Sequence, residues 1–127
     1  MVFIFILFIV TIIGCILEGR YVCKTFLYLE DRLYYVQQQL QKNTENMNTE
    51  ENIKLLKELH EEWTEKKKVL KIFVWHTNLK DVEVGLSRIQ SYTAENDYTE
   101  AYTEIQNLID FSKHFRQDYE LNLQNIF

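Results

Sequence analysis

The sequence of 127 residues contains no proline and only three glycines. Proline and glycine interrupt helices and strands more often than other residues, so their scarcity predicts long uninterrupted elements. The chain is rich in Glu, Lys, Leu and Gln, which favour helices, so those elements are predicted to be helical. Three isolated glycines also provide no glycine-rich turn of the kind that holds a phosphate group at a helix N-terminus.

The chain has only two cysteines, Cys15 and Cys23. On one helix they would lie about 12 Å apart along its axis. A disulfide needs Cα atoms within roughly 7 Å, so the pair is not expected to form one in that conformation. The cysteines therefore leave the redox compartment open.

Charge is missing from residues 1–17, where Thr11 is the only polar residue. The rest of the chain carries all 14 basic and 19 acidic residues, for a net charge of −5. A net-negative domain without a basic block is poorly suited to the DNA or RNA backbone, whose binding depends on neutralising phosphate charge. We therefore expect no nucleic-acid partner.

The uncharged N-terminal run has the length of a membrane helix. Seventeen residues at 1.5 Å each span about 26 Å, just under the roughly 30 Å hydrocarbon core of a bilayer. The span extends to Val22 if Glu18 and Arg20 lie at headgroup level, where the arginine stem can follow the membrane. We predict a membrane anchor over residues 1–22 and a helical domain over residues 23–127.

Cys15 raises an alternative to this anchor. Ile12-Ile13-Gly14-Cys15 matches a bacterial lipobox, which would make Cys15 the lipidated N-terminus of a mature lipoprotein. A signal peptide normally begins with a basic segment and ends at a small-residue cleavage site, and this run shows neither. The retained transmembrane helix is therefore favoured. Lipidation at Cys15, with the domain acting as a sensor or ligand-binding module, is the alternative.

Beyond the anchor, apolar residues recur at spacings of 4, 3, 4, 3 and 4, a seam of heptad type. We expect the anchor and this seam to form one helix that ends near Lys42. The seam is predicted to pack in the domain or to pair with a second copy of the chain. It consists of Val22, Phe26, Leu29, Leu33, Val36 and Leu40.

Capping signals predict three further helices. The second begins at Asn48 or Thr49, the third at Asn78, and the fourth after Asp97, with Glu100 at its third position. Each has one apolar face and must bury it against the others. The predicted fold is all-α, an antiparallel bundle of three to four helices on a transmembrane helix. The predicted apolar face of the second helix consists of Ile53, Leu56, Leu59, Trp63, Leu70 and Phe73; that of the third helix of Leu79, Val82, Leu86 and Ile89; and that of the fourth helix of Tyr98, Ala101, Tyr102, Ile105, Leu108, Ile109 and Phe115.

Glu51 lies three residues after Asn48, the spacing of a capping box, which favours Asn48 as the cap of the second helix. Gly85 lies inside the third helix, where it would allow a neighbouring helix to approach closely. The C-terminal tail, residues 121–127, is apolar enough that we expect it to dock on the bundle.

The residue patterns of common catalytic and metal sites are missing. None of His60, His76 and His114 lies in a His-Glu-x-x-His or Glu-x-x-His arrangement. Neither cysteine lies near a histidine in sequence or in a nucleophile motif. We therefore expect no enzyme, no metal and no cofactor.

The most distinctive stretch runs from Glu61 to Leu79 and interleaves aromatic with basic residues. One interpretation is a core tryptophan flanked by a solvated basic face. The other is a contact surface for a protein partner or for anionic lipid headgroups. The residues assigned to that surface are Trp63, Lys67, Lys71, Trp75 and His76.

The order of Trp63 before a lysine run, His76 after an apolar stretch, Asp97 opening the last helix and the ending "LNLQNIF" resembles domain-of-unknown-function family 4363. The resemblance implies a small bacterial protein, common among spore-forming Firmicutes, with an N-terminal membrane helix and an all-helical domain. It implies no activity and no catalytic residues. Family members carry basic residues before the helix, which implies a domain outside the cytoplasm; this sequence lacks them.

The basic residues near the membrane span favour the opposite orientation. Arg20, Lys24 and Arg32 follow the span and no basic residue precedes it, which favours a cytoplasmic domain by the positive-inside rule. With the resemblance, we expect a single-pass protein of the cell membrane whose domain is extracytoplasmic. The predicted function is a non-enzymatic binding or scaffolding domain, accessory to a membrane or envelope protein partner.

Overall fold

The computed structural model describes the backbone of residues 1–126 and the side chains up to Asn122, and it contains four helices within that range. They are α1 (Val2–Gln41), α2 (Glu50–Leu70), α3 (His76–Ala94) and α4 (Tyr98–Ile126). Three short connections join them, at residues 42–49, 71–75 and 95–97. No strand is present in residues 1–126. The prediction of an all-α chain, with a long apolar first helix that continues into a bundle, is confirmed.

The helices form an up-down-up-down bundle. α1 packs against α2 and α4, and α3 packs against the same two helices, so each helix has two neighbours. No diagonal contact joins α1 to α3 or α2 to α4 among the described residues. Short connections between antiparallel neighbours produce this arrangement, because each helix must lay its apolar face against the next. The predicted range of three to four helices resolves to four.

The heptad seam of α1 forms one wall of the core. All six of its residues, from Val22 to Leu40, are buried. The Phe26 ring lies between the Trp63 ring of α2, at 5.8 Å between centroids, and the Phe115 ring of α4, at 4.5 Å. The seam is therefore used within one chain. Pairing with a second chain through the same residues would require the bundle to open.

The apolar face predicted for the third helix is buried throughout, and the faces predicted for the second and fourth helices are buried in part. Leu79, Val82, Leu86 and Ile89 are all buried. Three residues predicted to face the core are instead exposed: Ile53, Phe73 and Tyr102. Phe73 is exposed because α2 ends at Leu70, so the helical spacing that placed it inward no longer applies.

The start of α2 is one of the two predicted positions, and the start of α3 differs from the prediction. Thr49 caps α2, since its Oγ1 accepts a hydrogen bond from the Asn52 N–H at 3.2 Å, so the predicted capping box on Asn48 is wrong. α3 begins at His76, two residues before Asn78, and no side chain caps it. Trp75, with φ of −57° and ψ of 135°, is the non-helical residue that precedes it.

The start of α4 is as predicted. Asp97 Oδ1 accepts a hydrogen bond from the Glu100 N–H at 3.2 Å. Just before it, Asn96 adopts a φ of 58°, in the left-handed region that asparagine tolerates. Its side-chain oxygen accepts the N–H groups of Met47 at 2.8 Å and Asn48 at 2.9 Å. This oxygen joins the 42–49 and 95–97 connections at one end of the bundle, where Met47 is fully buried.

Gly85 lies where α3 packs tightly against α4. A Cβ placed on it would lie 3.2 Å from both Cδ atoms of Leu108. The expected role of this glycine, which is to let a neighbouring helix come close, is confirmed.

The first part of α1 stands clear of the bundle. Residues 1–17 are exposed apart from Ile12, and α1 is long and apolar enough to cross a membrane, as a signal sequence also would be. Packing against the bundle starts at Glu18, whose carboxylate accepts a hydrogen bond from the Tyr119 hydroxyl at 2.8 Å. Val22, which was predicted to be the last residue of the anchor, lies in the core of the bundle. Of the tail that was expected to dock, residues 121–127, Leu121 and Asn122 are exposed, and the other five residues fall outside the described side chains.

Candidate functional site

The candidate site is the connection between α2 and α3, residues 71–75, which we call the anchor-end turn. Its position follows from the pairing of α1 with α2, where the Tyr28 hydroxyl donates a hydrogen bond to Glu62 at 2.7 Å. The two helices run antiparallel, so the eight residues from Glu62 to Leu70 cover about 12 Å and bring Leu70 level with Arg20. The turn therefore lies at the end of the bundle from which the apolar part of α1 projects.

Two of the five predicted contact residues are held inside the bundle. Trp63 is only 2 % exposed and packs edge-on against Phe26. Lys67 is largely buried and donates a short hydrogen bond to Glu83 of α3. A buried indole offers no surface to a partner, so Trp63 follows the first interpretation of its segment, a core tryptophan.

Glu83 receives the basic groups of α2. The hydrogen bond from Lys67 lowers the pKa of the Glu83 carboxyl, and the charge of Lys67 adds to the effect. His60 Nε2 lies 4.0 Å from the same carboxylate, and His60 Nδ1 lies 2.7 Å from the Gln90 side-chain oxygen. These contacts join α2 to α3 along their length and fix the start and the end of the turn relative to each other.

The other three predicted residues, Lys71, Trp75 and His76, are exposed. The Trp75 side chain is 83 % exposed. The turn is nevertheless tight, because the Phe73 and Val74 N–H groups both donate to the Leu70 carbonyl, at 2.9 and 2.8 Å. Buried Val74 anchors it to the core.

Two further residues belong to this surface and were missed from the sequence. Ile72 is 71 % exposed and Phe73 is 39 % exposed. The helical spacing of the second helix assigned Phe73 to the core and gave no role to Ile72. Only Val74 points to the core, because the turn reverses direction at that point.

α4 is tied to α1 both near the middle of the bundle and at its anchor end. The Arg116 guanidinium donates to both carboxylate oxygens of Glu30, at 2.8 and 3.4 Å, and lies 3.5 Å from Glu120. Burial raises the pKa of Tyr119, and so does the hydrogen bond to Glu18. These contacts hold the bundle in a fixed relation to the first residues that follow the apolar run.

The cysteines show no sign of activation. Burial raises the pKa of the Cys23 thiol, and the charge of Glu120 raises it further, which is the opposite of what a nucleophilic thiolate requires. Cys15 is exposed on the apolar part of α1. Within residues 1–126, no group of three or more His, Cys, Asp and Glu side chains is arranged to hold a metal ion.

Two open grooves bear on the alternative of a ligand-binding domain. One, of about 470 Å³, is lined by α3 and its C-cap residue, from Lys80 to Glu95. The other, of about 300 Å³, lies between α3 and α4 beside Gly85 and Leu108. Both lie on the surface of the bundle, away from the anchor-end turn, and no sequence motif marked either of them.

The model of one protein family, described as "Domain of unknown function (DUF4363)", matches residues 21–126. The chain belongs to this family. The match confirms the resemblance found in the sequence and brings no activity with it. The DUF4363 match begins at Tyr21, close to where bundle packing begins, and leaves the apolar run outside. Comparisons with curated proteins and with solved structures gave no match.

Proposed function

We propose that this DUF4363 protein is a single-pass membrane protein whose four-helix bundle is a non-enzymatic binding or scaffolding module, accessory to a membrane or envelope partner. One observation carries the proposal. α1 runs for 40 residues without a break, from an exposed apolar segment into the core of the bundle. Exposed apolar surface of this extent in one helix is typical of a segment that lies in lipid.

The continuity of α1 restricts what the bundle can reach. A flexible linker would let the domain explore the solvent, whereas a helix of about 1.5 Å per residue holds it against the membrane surface. The end of the bundle that contains the anchor-end turn is therefore held next to molecules in or on the membrane. The exposed members of the contact surface, Lys71, Trp75 and His76, face that region, and we place the bundle outside the cytoplasm.

Membrane attachment is tested by alkaline extraction of membranes that contain the full chain, with Cys15→Ala as the variant. We expect both chains to stay in the membrane fraction, and the intact mass to retain residues 1–14 without added lipid. Release of Cys15→Ala into the soluble fraction, or a mass that has lost residues 1–14 and gained lipid, would establish the lipoprotein alternative. Protease treatment of intact cells then reports the side on which the bundle lies.

The binding role is tested by cross-linking in native membranes followed by purification of the full chain. The matched control replaces residues 1–17 with an unrelated membrane helix and leaves the bundle unchanged. Partners that are retained by the control bind the bundle. Partners that are lost with the native span bind the span, and that result would contradict the module proposed for the bundle.

A further inference from the structure

The level of the anchor-end turn can be compared with the layers of a bilayer. The headgroup layer on each side is about 5–8 Å thick, the difference between total and hydrocarbon thickness divided by two. Measured from Leu17, the last residue of the uncharged run, five residues of α1 cover about 7.5 Å and end at Val22. Leu70 is level with Arg20, so the turn lies within this layer when α1 crosses the membrane.

The side chains of the turn suit that layer. Ile72, Phe73 and Trp75 present apolar surface at the tip, and Val69 adds to it from the last turn of α2. Tryptophan is enriched at membrane interfaces, because its ring is apolar and its N–H group needs a hydrogen-bond partner. In water the same side chains would form an exposed hydrophobic patch without a function.

Along the chain, the turn and the helix ends that flank it carry charges of one sign. No acidic residue occurs between Lys66 and Lys80, a stretch with five lysines. Lys67 and Lys68 are paired with Glu83 and Glu65, whereas Lys71 makes no ion pair with any described residue. Lysine side chains beside an apolar tip are attracted to anionic headgroups.

The opposite end of the bundle provides an internal comparison. In the 42–49 connection the one large apolar residue, Met47, is fully buried, and the exposed residues 43–46 are all polar or charged. The same fold therefore covers its apolar loop residue at the far end and leaves three uncovered at the anchor end. The exposed apolar residues thus lie at the end of the bundle that is next to the membrane.

We infer that the anchor-end turn is a second membrane contact, in which Ile72, Phe73, Trp75 and Lys71 insert among the lipid headgroups and seat the bundle on the bilayer. The inference rests on the proposed function, since it requires α1 to cross that bilayer. On this inference, lipid headgroups rather than a protein partner cover the exposed residues of the candidate site.

Trp75 itself is the probe. The full chain carrying Trp63→Phe is reconstituted into phosphatidylglycerol–phosphatidylcholine vesicles, so that Trp75 is the only tryptophan. We expect its emission to shift to the blue relative to free tryptophan, to be quenched by lipids brominated near the headgroup, and to resist acrylamide. Lys71→Glu should reduce the lipid quenching in these anionic vesicles more than in phosphatidylcholine alone.

The matched control moves the probe to the far end, with Thr44→Trp added to a chain that carries Trp63→Phe and Trp75→Phe. This probe should be quenched by acrylamide and not by brominated lipid. If Trp63→Phe prevents folding, the Trp75 signal is obtained by subtracting the Trp75→Phe spectrum from that of the wild type.

The outcomes separate the two proposals. A chain that does not float with the vesicles contradicts the membrane span and thus the proposed function. A chain that floats, with Trp75 as accessible to acrylamide as the T44W probe and untouched by brominated lipid, overturns the second contact alone. Protection of Trp75 in native membranes but not in vesicles assigns the surface to a protein and also overturns it.

Discussion

Removal of the arginine that ties α4 to α1 should destabilise the bundle far more than removal of a surface ion pair. Arg116 makes two hydrogen bonds to Glu30, and the Glu30 side chain is only 5 % exposed. In Arg116→Met the guanidinium is gone and the Glu30 carboxylate stays buried without its partner.

Loss of one member of a buried ion pair costs about 3–5 kcal/mol, because the remaining charge is left uncompensated. Arg116 is 18 % exposed and also contacts half-exposed Glu120. We therefore expect the lower end, about 3 kcal/mol, which corresponds to a fall in Tm of roughly 12 °C for a domain of this size. Replacement of both Glu30 and Arg116 by leucine should recover most of that loss, since no buried charge remains.

The measurement is thermal unfolding of the full chain in a mild detergent, followed by circular dichroism. Lys54→Ala is the matched control, because Lys54 pairs with Glu58 at 4.0 Å on the surface of α2, with both side chains at least half exposed. That variant should lose no more than about 0.5 kcal/mol. If Arg116→Met and Lys54→Ala lower the Tm equally, the pair between α1 and α4 does not hold the bundle together.

Three further predictions concern other contacts of the bundle. Gly85→Leu should cost about 1–3 kcal/mol of folding stability by overpacking against Leu108, whereas Gly85→Ala should be near neutral, because a gain in helix propensity of about 1 kcal/mol offsets the tight contact. Urea unfolding of both variants tests this, and equal midpoints for the two would contradict the tight packing of α3 against α4. Asn96→Ala should cost about 1–3 kcal/mol, because the N–H groups of buried Met47 and of exposed Asn48 lose their acceptor. Asn96→Asp, which retains an acceptor oxygen, should cost less in the same assay. The hydrogen bond from Lys67 lowers the pKa of the Glu83 carboxyl, so the contribution of this group to stability is present above the unfolded-state pKa and is lost as the pH falls through the folded-state pKa. The free energy of unfolding, obtained from urea titrations over a pH series, should fall on acidification by less than about 1 kcal/mol for this partly exposed pair. Glu83→Gln should flatten that part of the curve, and an unchanged curve would show that the pair contributes nothing.

Periodicity explains what the sequence could predict of the fold. Leu56, Trp63 and Leu70 recur every seven residues, as the α1 seam does, and all three are buried. Trp75 lies outside that register and is exposed. The two tryptophans, grouped in one predicted surface, were therefore distinguishable by spacing alone, since residues seven apart share a helix face.

Contacts between residues far apart in the chain could not be predicted from the sequence. The burial of Met47 depends on Asn96, 49 residues away, whose side chain holds the connection in place. The exposure of Ile72 and Phe73 depends on the exact residue at which α2 ends, and such boundaries are the least certain part of a prediction from periodicity. The ion pair of Glu30 with Arg116 is likewise a product of packing, because nothing in either helix marks the other as its partner.

The two membrane contacts have different consequences for how the bundle is presented. A single helix fixes the distance of the domain from the bilayer but leaves the bundle free to tilt. A second contact at the α2–α3 turn, displaced from α1 by a helix diameter of about 10 Å, restricts that tilt. The angle at which the bundle is presented to a partner is then set, as a scaffold requires. A variant that loses the turn contact should therefore remain in the membrane and still lose oriented assembly, a combination that loss of the anchor cannot produce.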